Sequence, residues 1–440
     1  MINKRVAITT LGCKLNQYDS EMVLAQFRSA GYEVVGDFDD ADLCIINTCS
    51  VTATAERKVR NTLRSAHRIN PKAKLLVIGC MAERTPETLS EFPGVIGVAG
   101  NSEKERIVEI AESYCETSAP VVEIGGVHEA AKWTDQVQLD GLLGRTRSFL
   151  KVQDGCSQFC TYCIVPKLRG RGRSQPISDA VDHAQRLIDL GHKEIVLTGC
   201  ALGTYGFDFD TKDGLARLIE QLDSIPGNHR FRLGSVEPWA ITLDFLRIIA
   251  ESERICPHLH IPLQSCDDSV LRRMNRRYSV DDIRRALDFA YSIRDDWGFG
   301  SDIIVGFPGE TDEHFKNTVA FLRESRLSYL HIFPFSERPG TPAGKLPDSI
   351  SPQVKQIRLK QLAALDIELR LRFRKQHLGR TCQVLYENRY VNGMLAGHAE
   401  NYLDVYVAPT PDLIGQIVET EITKLLPDGV EGVIPERKDL

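Results

Sequence analysis

The sequence predicts an α/β protein with an N-terminal doubly wound parallel-sheet domain, a central partial (β/α)6 barrel and a small C-terminal all-β barrel. Three observations lead to this class. Strand-like and helix-like segments alternate near the N-terminus, six further strand-like runs alternate with helix-like stretches, and the C-terminal segment holds only short β-prone runs. The predicted boundaries are 1–120 for the first domain, 121–144 for a linker, 145–376 for the barrel and 377–440 for the last domain.

The N-terminal sheet is predicted from short, continuously apolar runs. RVAITTLGC (5–13), ADLCIINTC (41–49) and AKLLVIGC (73–80) are typical of strands covered on both faces. Helical patterns lie between them at 19–30 and 53–69, and Asn70-Pro71 ends the second. This alternation predicts parallel strands joined by helices.

The barrel is predicted from six strand-like runs, five of which are followed by a helical pattern. The strands are predicted at 149–155, 193–199, 230–235, 258–264, 301–308 and 329–336. The helices are predicted at 178–190, 214–223, 242–252, 280–294 and 312–325. Six units are too few for a complete eightfold barrel. An amphipathic helix at 351–377 leads out, and Asn-Gly, Pro and Asp-Gly signals beyond it predict a small barrel of the oligonucleotide-binding kind.

Composition excludes several classes of protein. The 440 residues carry a formal net charge of −6, which argues against a histone-like nucleic-acid binder. Twelve cysteines are too few for a disulfide scaffold of this length. The sequence lacks an apolar run long enough to span a membrane and lacks a signal peptide, so we expect a cytoplasmic protein without membrane partners. In that reducing compartment, clustered cysteines are more often ligands than bridges.

The strongest local motif is Cys156-x3-Cys160-x2-Cys163. It follows the first barrel strand, at the carboxyl edge where such barrels carry their chemistry. Three thiolates without a fourth Cys or His at comparable spacing suit a 4Fe-4S cluster with one open iron. A structural zinc site would require four ligands.

A second set of three cysteines rests on topology. Cys13, Cys49 and Cys80 each end a predicted strand, and parallel strands share one carboxyl edge where ligands bind. The sequence therefore predicts a second three-thiolate cluster, although buried cysteines at strand ends are also ordinary core residues. The remaining cysteines lack ligand spacing. Cys200 and Cys266 follow barrel strands two and four, Cys44 is a predicted core residue, and Cys115, Cys256 and Cys382 have no predicted partners.

Several motifs of the sequence resemble those of a known family. The three-cysteine motif with Tyr162 before its last cysteine resembles the radical S-adenosylmethionine motif. Together with TLGCKLNQYDSE (10–21), NTCSVTATAE (47–56) and GCMAE (79–83), the chain resembles the radical S-adenosylmethionine methylthiotransferases over essentially its whole length, including a C-terminal segment similar to the TRAM RNA-binding module.

The resemblance implies cofactors and a reaction. One 4Fe-4S cluster, on Cys156, Cys160 and Cys163, would bind S-adenosylmethionine and cleave it to a radical. The other, on Cys13, Cys49 and Cys80, would hold the sulfur that is methylated and transferred, so two S-adenosylmethionine molecules are used. Further S-adenosylmethionine contacts carry over to residues at the barrel strand ends: Tyr162, Thr198, Gly199, Ser235, Glu237, Gln264, Ile304 and Gly306.

The expected substrate is RNA. Basic residues cluster around the motif and at 272–277, and Arg169, Arg171, Arg173, Arg276 and Arg277 are predicted RNA contacts. Within the family, GCKLN (12–16) and LGSVEP (233–238) resemble the subgroup that modifies N6-threonylcarbamoyladenosine at tRNA position 37. The implied partners are the tRNA anticodon stem-loop and an electron donor such as a flavodoxin or ferredoxin.

The sequence is also compatible with three alternative functions. The substrate could be N6-isopentenyladenosine in tRNA or an aspartate of a ribosomal protein. The chain could instead be a non-catalytic RNA-binding protein with structural zinc. It could also carry a single cluster beside an inert N-terminal domain.

Overall fold

A computed structural model describes residues 4–115, 119–127, 133 and 146–435, so most of the predicted linker, 121–144, lies outside it. Packing divides the chain into two compact units. Unit 1 comprises Met1–Leu139, Gln153–Gln175 and Ser336–Gly344, and unit 2 comprises Asp140–Val152, Pro176–Phe335 and Lys345–Leu440. These units differ from the predicted boundaries, because the three-cysteine motif packs with the N-terminal segment.

The N-terminal segment forms a six-stranded parallel sheet with helices on both faces. Its strands are β1 (Arg5–Thr10), β2 (Glu33–Val34), β3 (Leu43–Thr48), β4 (Lys74–Gly79), β5 (Val95–Ala99) and β6 (Val121–Glu123), in the order β2-β1-β3-β4-β5-β6. Its helices are α1 (Lys14–Ser29), α2 (Ala53–Ile69), α3 (Cys80–Arg84), α4 (Pro86–Ser90) and α5 (Ile107–Cys115). The doubly wound prediction is confirmed.

Both faces of this sheet are buried, which explains the continuously apolar strands. Val59 and Leu63 of α2 pack on one face, and Phe27 of α1 and Ile110 of α5 pack on the other. Thr52 caps α2, since its side chain accepts a hydrogen bond from the Ala55 N–H. Unit 1 is completed by two further segments. One is Gln153–Gln175, the motif segment, which carries a short antiparallel pair of strands and one helix, and the other is Ser336–Gly344.

The central segment carries the strands and helices of the barrel and those of the three-cysteine motif. The strands are β7 (Arg147–Lys151), β8 (Gln153–Asp154), β9 (Arg173–Ser174), β10 (Glu194–Thr198), β11 (Arg230–Leu233), β12 (His258–Gln264), β13 (Gly298–Val305) and β14 (Tyr329–Pro334). The helices are α6 (Val165–Arg169), α7 (Ile177–Asp189), α8 (Gly214–Asp223), α9 (Leu243–Glu251), α10 (Asp268–Arg273), α11 (Val280–Ile293), α12 (Asp312–Glu324) and α13 (Pro352–Gln376). Strands β8 and β9 form the antiparallel pair of unit 1.

Six parallel strands of unit 2 form the partial barrel. They pair as two three-stranded sheets, β7-β10-β11 and β12-β13-β14. Single bridges, Phe231 to Ile255 and Ser235 to His260, join the two halves. A continuous apolar core lies between the strands and their helices. The predicted partial (β/α)6 barrel is confirmed.

The C-terminal segment is a closed five-stranded barrel, as the predicted small all-β module requires. Its strands are β15 (Thr381–Val391), β16 (Met394–Ala399), β17 (Asp404–Val407), β18 (Ile417–Leu425) and β19 (Val430–Val433), in the closed order β15-β16-β17-β19-β18. Val384, Tyr386, Val405 and Ile422 fill its interior.

This barrel packs against the amino ends of the central strands, within unit 2. Arg230 donates to the carbonyl of Gln383 at 2.7 Å, and Arg232 donates to the carbonyl of Glu400 at 2.8 Å. The ring of Tyr402 lies 4.6 Å from that of His258, the first residue of β12. The C-terminal barrel is therefore at the end of the central barrel opposite to the strands' carboxyl ends.

Candidate functional site

Three cysteines converge at the carboxyl edge of the N-terminal sheet. Cys13 follows β1, Cys49 follows β3 and Cys80 begins α3 directly after β4. These strands are neighbours, with Thr10 opposite Asn47 and Thr48 opposite Gly79. The structure thus places together three thiols that lie far apart in the sequence, as the topological argument predicted.

Glycines let the backbone approach closely at this edge. Gly12 has φ +110°, and a Cβ there would lie 2.8 Å from the Cβ of Cys49. Gly79 has φ +94°, and a Cβ there would lie 2.7 Å from the carbonyl oxygen of Thr48. Only glycine adopts such positive φ without strain at so crowded a position.

Side-chain hydrogen bonds fix the loops that carry the cysteines. The buried Asn16 donates to the carbonyls of Leu11 at 2.8 Å and Thr48 at 2.9 Å. Thr48 in turn accepts from the Met81 N–H at 3.0 Å. These bonds join the ends of all three strands. Asn16 and Thr48 lie within the motifs TLGCKLNQYDSE and NTCSVTATAE but were not predicted as site residues.

The cysteines of the three-cysteine motif line a cavity of about 400 Å³ in unit 1. Cys156, Cys160 and Cys163 share this cavity with Lys167 and the Gly340–Pro342 segment. The Cys156 N–H donates to the carbonyl of Gly170 and the Cys163 N–H donates to that of Cys160, both at 3.0 Å. Three thiols around an open space are a donor set that suits a cubane with one exchangeable iron. Tyr162, predicted near S-adenosylmethionine, is half-buried in the same loop.

The burial of Cys49 affects the protonation state of its thiol. Cys49 is 6% exposed, and burial raises the pKa of its thiol to about 11. It would therefore stay protonated at neutral pH unless a metal displaced the proton. Cys80 is also buried, whereas Cys13 is exposed.

The charge of Arg169 opposes the effect of burial on the pKa of Cys49. The contacts of this side chain contradict its predicted role in RNA binding. Its side chain is 4% exposed and donates to Asn16 Oδ1 at 2.7 Å, Asp19 Oδ2 at 2.8 Å and Asp154 Oδ1 at 3.1 Å. It therefore joins the first turns of α1, which follow Cys13, to the motif segment. A side chain buried in this way is not placed to contact RNA, so that prediction is wrong for Arg169.

Arg338 supplies a second buried charge, from the Ser336–Gly344 segment of unit 1. It is 5% exposed and donates to Glu56 at 2.7 Å, while Glu56 accepts from Ser50, beside Cys49, at 2.6 Å. Arg84 also pairs with Glu56. Two arginines on one carboxylate leave a net positive charge near Cys49.

The other predicted RNA contacts differ in exposure. Arg276 is buried, donates to the carbonyl of Pro262 at 2.7 Å and lies over the ring of Trp239, so the RNA prediction is wrong for it as well. Arg173 is half-buried and donates to the carbonyls of its own loop. Arg171 and Arg277 are exposed. RNA binding by these two stays a prediction.

The predicted S-adenosylmethionine contacts of the barrel lie at or near the carboxyl ends of four of its strands. They are Thr198 at the end of β10 and Gly199 after it, Ser235 and Glu237 after β11, Gln264 at the end of β12, and Ile304 on β13 and Gly306 after it. Glu237 accepts a hydrogen bond from the Gly203 N–H at 2.9 Å, and burial raises its pKa to about 7. Contact with S-adenosylmethionine itself stays a prediction.

The remaining cysteines belong to neither predicted set of three ligands. Cys44, Cys256 and Cys382 are buried, and Cys200 is half-buried. Cys266 packs in the barrel core, and its N–H donates to Thr318 Oγ1 at 3.2 Å. The side chain of Cys115 lies outside the described part of the chain.

Two family models match the chain. Residues 5–100 match an uncharacterized protein family, UPF0004, and residues 150–322 match the radical SAM superfamily. A threonylcarbamoyladenosine tRNA methylthiotransferase of Bacillus subtilis is 37% identical, covering 95% of this chain and 94% of the relative. A tRNA-2-methylthio-N6-dimethylallyladenosine synthase of Pelotomaculum thermopropionicum is 32% identical, covering 96% and 95%.

Solved structures show the fold alone. A radical S-adenosylmethionine methyltransferase of Kitasatospora setae with cobalamin and a 4Fe-4S cluster bound superimposes with a TM-score of 0.57 at 16% identity. That match covers 90% of this chain and 81% of the methyltransferase. None of the helices in the described part of the chain combines the length and the apolar composition that crossing a membrane requires.

Proposed function

This chain belongs to the radical S-adenosylmethionine tRNA methylthiotransferases, and from that membership we propose that it converts N6-threonylcarbamoyladenosine at tRNA position 37 to its 2-methylthio derivative. The observation that carries the substrate is the order of identities. Relatives named for threonylcarbamoyladenosine are 35–37% identical over at least 91% of this chain. Relatives named for dimethylallyladenosine are 32% identical.

The cofactors are two 4Fe-4S clusters and S-adenosylmethionine. Cys156, Cys160 and Cys163 would hold one cluster, and Cys13, Cys49 and Cys80 the other. When bound, they would supply the radical and the sulfur that an unreactive aromatic C–H bond requires. The donor sets support this assignment, since each offers three thiols. The set Cys13, Cys49 and Cys80 also lies beside the buried arginines Arg169 and Arg338.

The chain's own residues would position the reactants. Residues at the carboxyl ends of β10 to β13, among them Thr198 and Gln264, would hold S-adenosylmethionine. Arg171 and Arg277 would contact phosphates of the anticodon stem-loop. A flavodoxin or ferredoxin would deliver electrons, and a cytoplasmic location would suit a tRNA substrate.

Methylthiolation of defined RNAs tests this proposal. The anaerobically reconstituted protein is incubated with S-adenosylmethionine, dithionite and anticodon stem-loop RNA that carries threonylcarbamoyladenosine, dimethylallyladenosine or adenosine at position 37. Mass spectrometry of the nucleosides then measures the added methylthio group. We expect product from the threonylcarbamoyl RNA.

Control reactions separate the possible failures. Cys160→Ala should abolish both product and S-adenosylmethionine cleavage, because the cluster on that loop loses a ligand. Product from the dimethylallyl RNA alone would contradict the substrate, and zinc without labile sulfide in the protein would contradict the catalytic assignment.

A further inference from the structure

The interior of the central barrel carries a polar cluster that the proposed cofactors do not use. His260, Asp302 and His331 lie on the neighbouring strands β12, β13 and β14, and Asp302 is directly opposite His331 in the register. Asp302 Oδ1 lies 3.0 Å from His260 Nε2 and 3.4 Å from His331 Nδ1. The three side chains form one contact group inside unit 2.

The partners of the cluster define its hydrogen-bonding state. Burial opposes ionisation of Asp302, but His260 and His331 outweigh it and hold the pKa of this carboxyl well below its usual range. An ionised carboxylate only accepts hydrogen bonds, so the two ring nitrogens that face it carry hydrogens. On a neutral His331 ring, the other nitrogen, Nε2, is then an acceptor.

Two acceptors of the cluster remain available for a ligand. Within the described part of the chain, neither His331 Nε2 nor Asp302 Oδ2 has a hydrogen-bond partner. The His331 side chain is 52% exposed, and Phe333 on the same face of β14 is also exposed. The interior is therefore open at the level of His331.

The opposite end of the interior is filled. The hydroxyl of Tyr329 lies 3.0 Å from His258 Nε2 and 3.4 Å from His260 Nδ1. At the amino end of β12, the ring of Tyr402 packs against His258. A ligand reaches His331 from the carboxyl ends of the strands, where barrels of this kind hold the reacting molecule.

We propose that His331 and Asp302 select the N6 substituent of the target adenosine by accepting hydrogen bonds from its N–H and O–H groups. This inference rests on the proposed function. A threonylcarbamoyl group offers such donors, whereas a dimethylallyl group offers none. A site built to hydrogen-bond a substituent rejects the apolar analogue strongly, because its own polar atoms would be left desolvated and unpaired.

Variants of His331 test the selection. For His331→Phe, kcat/KM on the threonylcarbamoyl stem-loop should fall about tenfold, and the preference over the dimethylallyl stem-loop should shrink by the same factor. His331→Gln keeps a hydrogen-bonding group and should lose less than half of that effect on a logarithmic scale. Ile332→Val, on the same strand and facing the helices, should leave both substrates unchanged. Asp302→Asn provides a second test, with the same direction expected as for His331→Phe.

The outcomes distinguish this inference from the function on which it rests. Iron content and the thermal unfolding midpoint establish that each variant is folded and loaded. If the wild type modifies the threonylcarbamoyl RNA but His331→Phe and Asp302→Asn leave the preference between the two RNAs unchanged, the inference is wrong and the function stands. If the wild type does not modify the threonylcarbamoyl RNA, the proposed function itself is wrong.

Discussion

At the scale of single residues, the same residue type occupies opposite environments along the basic segments. Arg169 is buried between two carboxylates, whereas Arg171, two positions on, is exposed. A run of charges in a sequence predicts a solvated or phosphate-binding surface. It cannot show that Asn16 and Asp19, about 150 positions earlier, fold against one of its members. The cysteines were easier to identify, since strand ends mark them.

Removing the Arg169 charge should destabilise unit 1. Arg169→Gln leaves Asp154 and Asp19 with fewer partners in a buried setting, and breaking a buried pair costs about 3–5 kcal/mol. We expect a thermal midpoint several degrees below that of the wild type and reduced iron retention. Arg171→Gln is the matched control for an exposed arginine and should leave the thermal midpoint unchanged. Equal midpoints for both variants would show that the buried contacts of Arg169 contribute little.

Glu237 should give the barrel a pH-dependent stability. Burial raises its pKa to about 7 from the ordinary 4.5, so the folded state favours the protonated form. The stability gained by binding this proton is present at low pH and is lost as the pH rises through 7. Glu237→Gln removes the cost of ionisation, which is up to about 3 kcal/mol.

Thermal unfolding at two pH values measures this effect. At about pH 8 the variant should unfold at a higher temperature than the wild type, and at about pH 4, below the ordinary pKa of a glutamate, the difference should nearly vanish. A difference of equal size at both pH values would contradict the assigned ionisation.

At the scale of helices and strands, the sequence predicts the long elements and misses short or uncapped ones. Helices α2 and α8 begin and end where the pattern places them. Helix α1 begins at Lys14 rather than at 19, because its N-cap is Cys13, which makes no side-chain capping bond. Strand β5 was missed because VIGVA is short and contains glycine.

Glu194 should hold the base of the barrel together. It is completely buried and accepts from Arg230 at 2.6 Å and Arg232 at 2.8 Å, the same arginines that donate to carbonyls of the C-terminal barrel. Burial opposes its ionisation, but Arg232 and Arg230 hold the pKa of Glu194 well below its usual range.

Glu194→Gln therefore leaves two buried arginines without a counter-charge. We expect a loss of about 3–5 kcal/mol, read as a lower thermal midpoint by circular dichroism. Glu421→Gln, on the exposed face of β18, is the control and should unfold like the wild type. An unchanged midpoint for Glu194→Gln would show that the C-terminal barrel does not depend on this network.

At the scale of the whole molecule, the sequence predicts the three architectural parts but not how the chain is divided among compact units. The motif segment Gln153–Gln175 and the segment Ser336–Gly344 pack with the N-terminal sheet. The cause is a set of long-range contacts, such as Arg338 with Glu56, that no local pattern encodes. Both sets of three cysteines consequently belong to the same unit.

Iron and labile sulfide in the anaerobically reconstituted protein test the central assignment most directly. Two 4Fe-4S clusters predict about eight irons in the wild type and about four in Cys49→Ala and in Cys160→Ala. Only the second variant should also lose S-adenosylmethionine cleavage. About four irons in the wild type, with none lost in Cys49→Ala, would contradict a cluster at the edge of the N-terminal sheet.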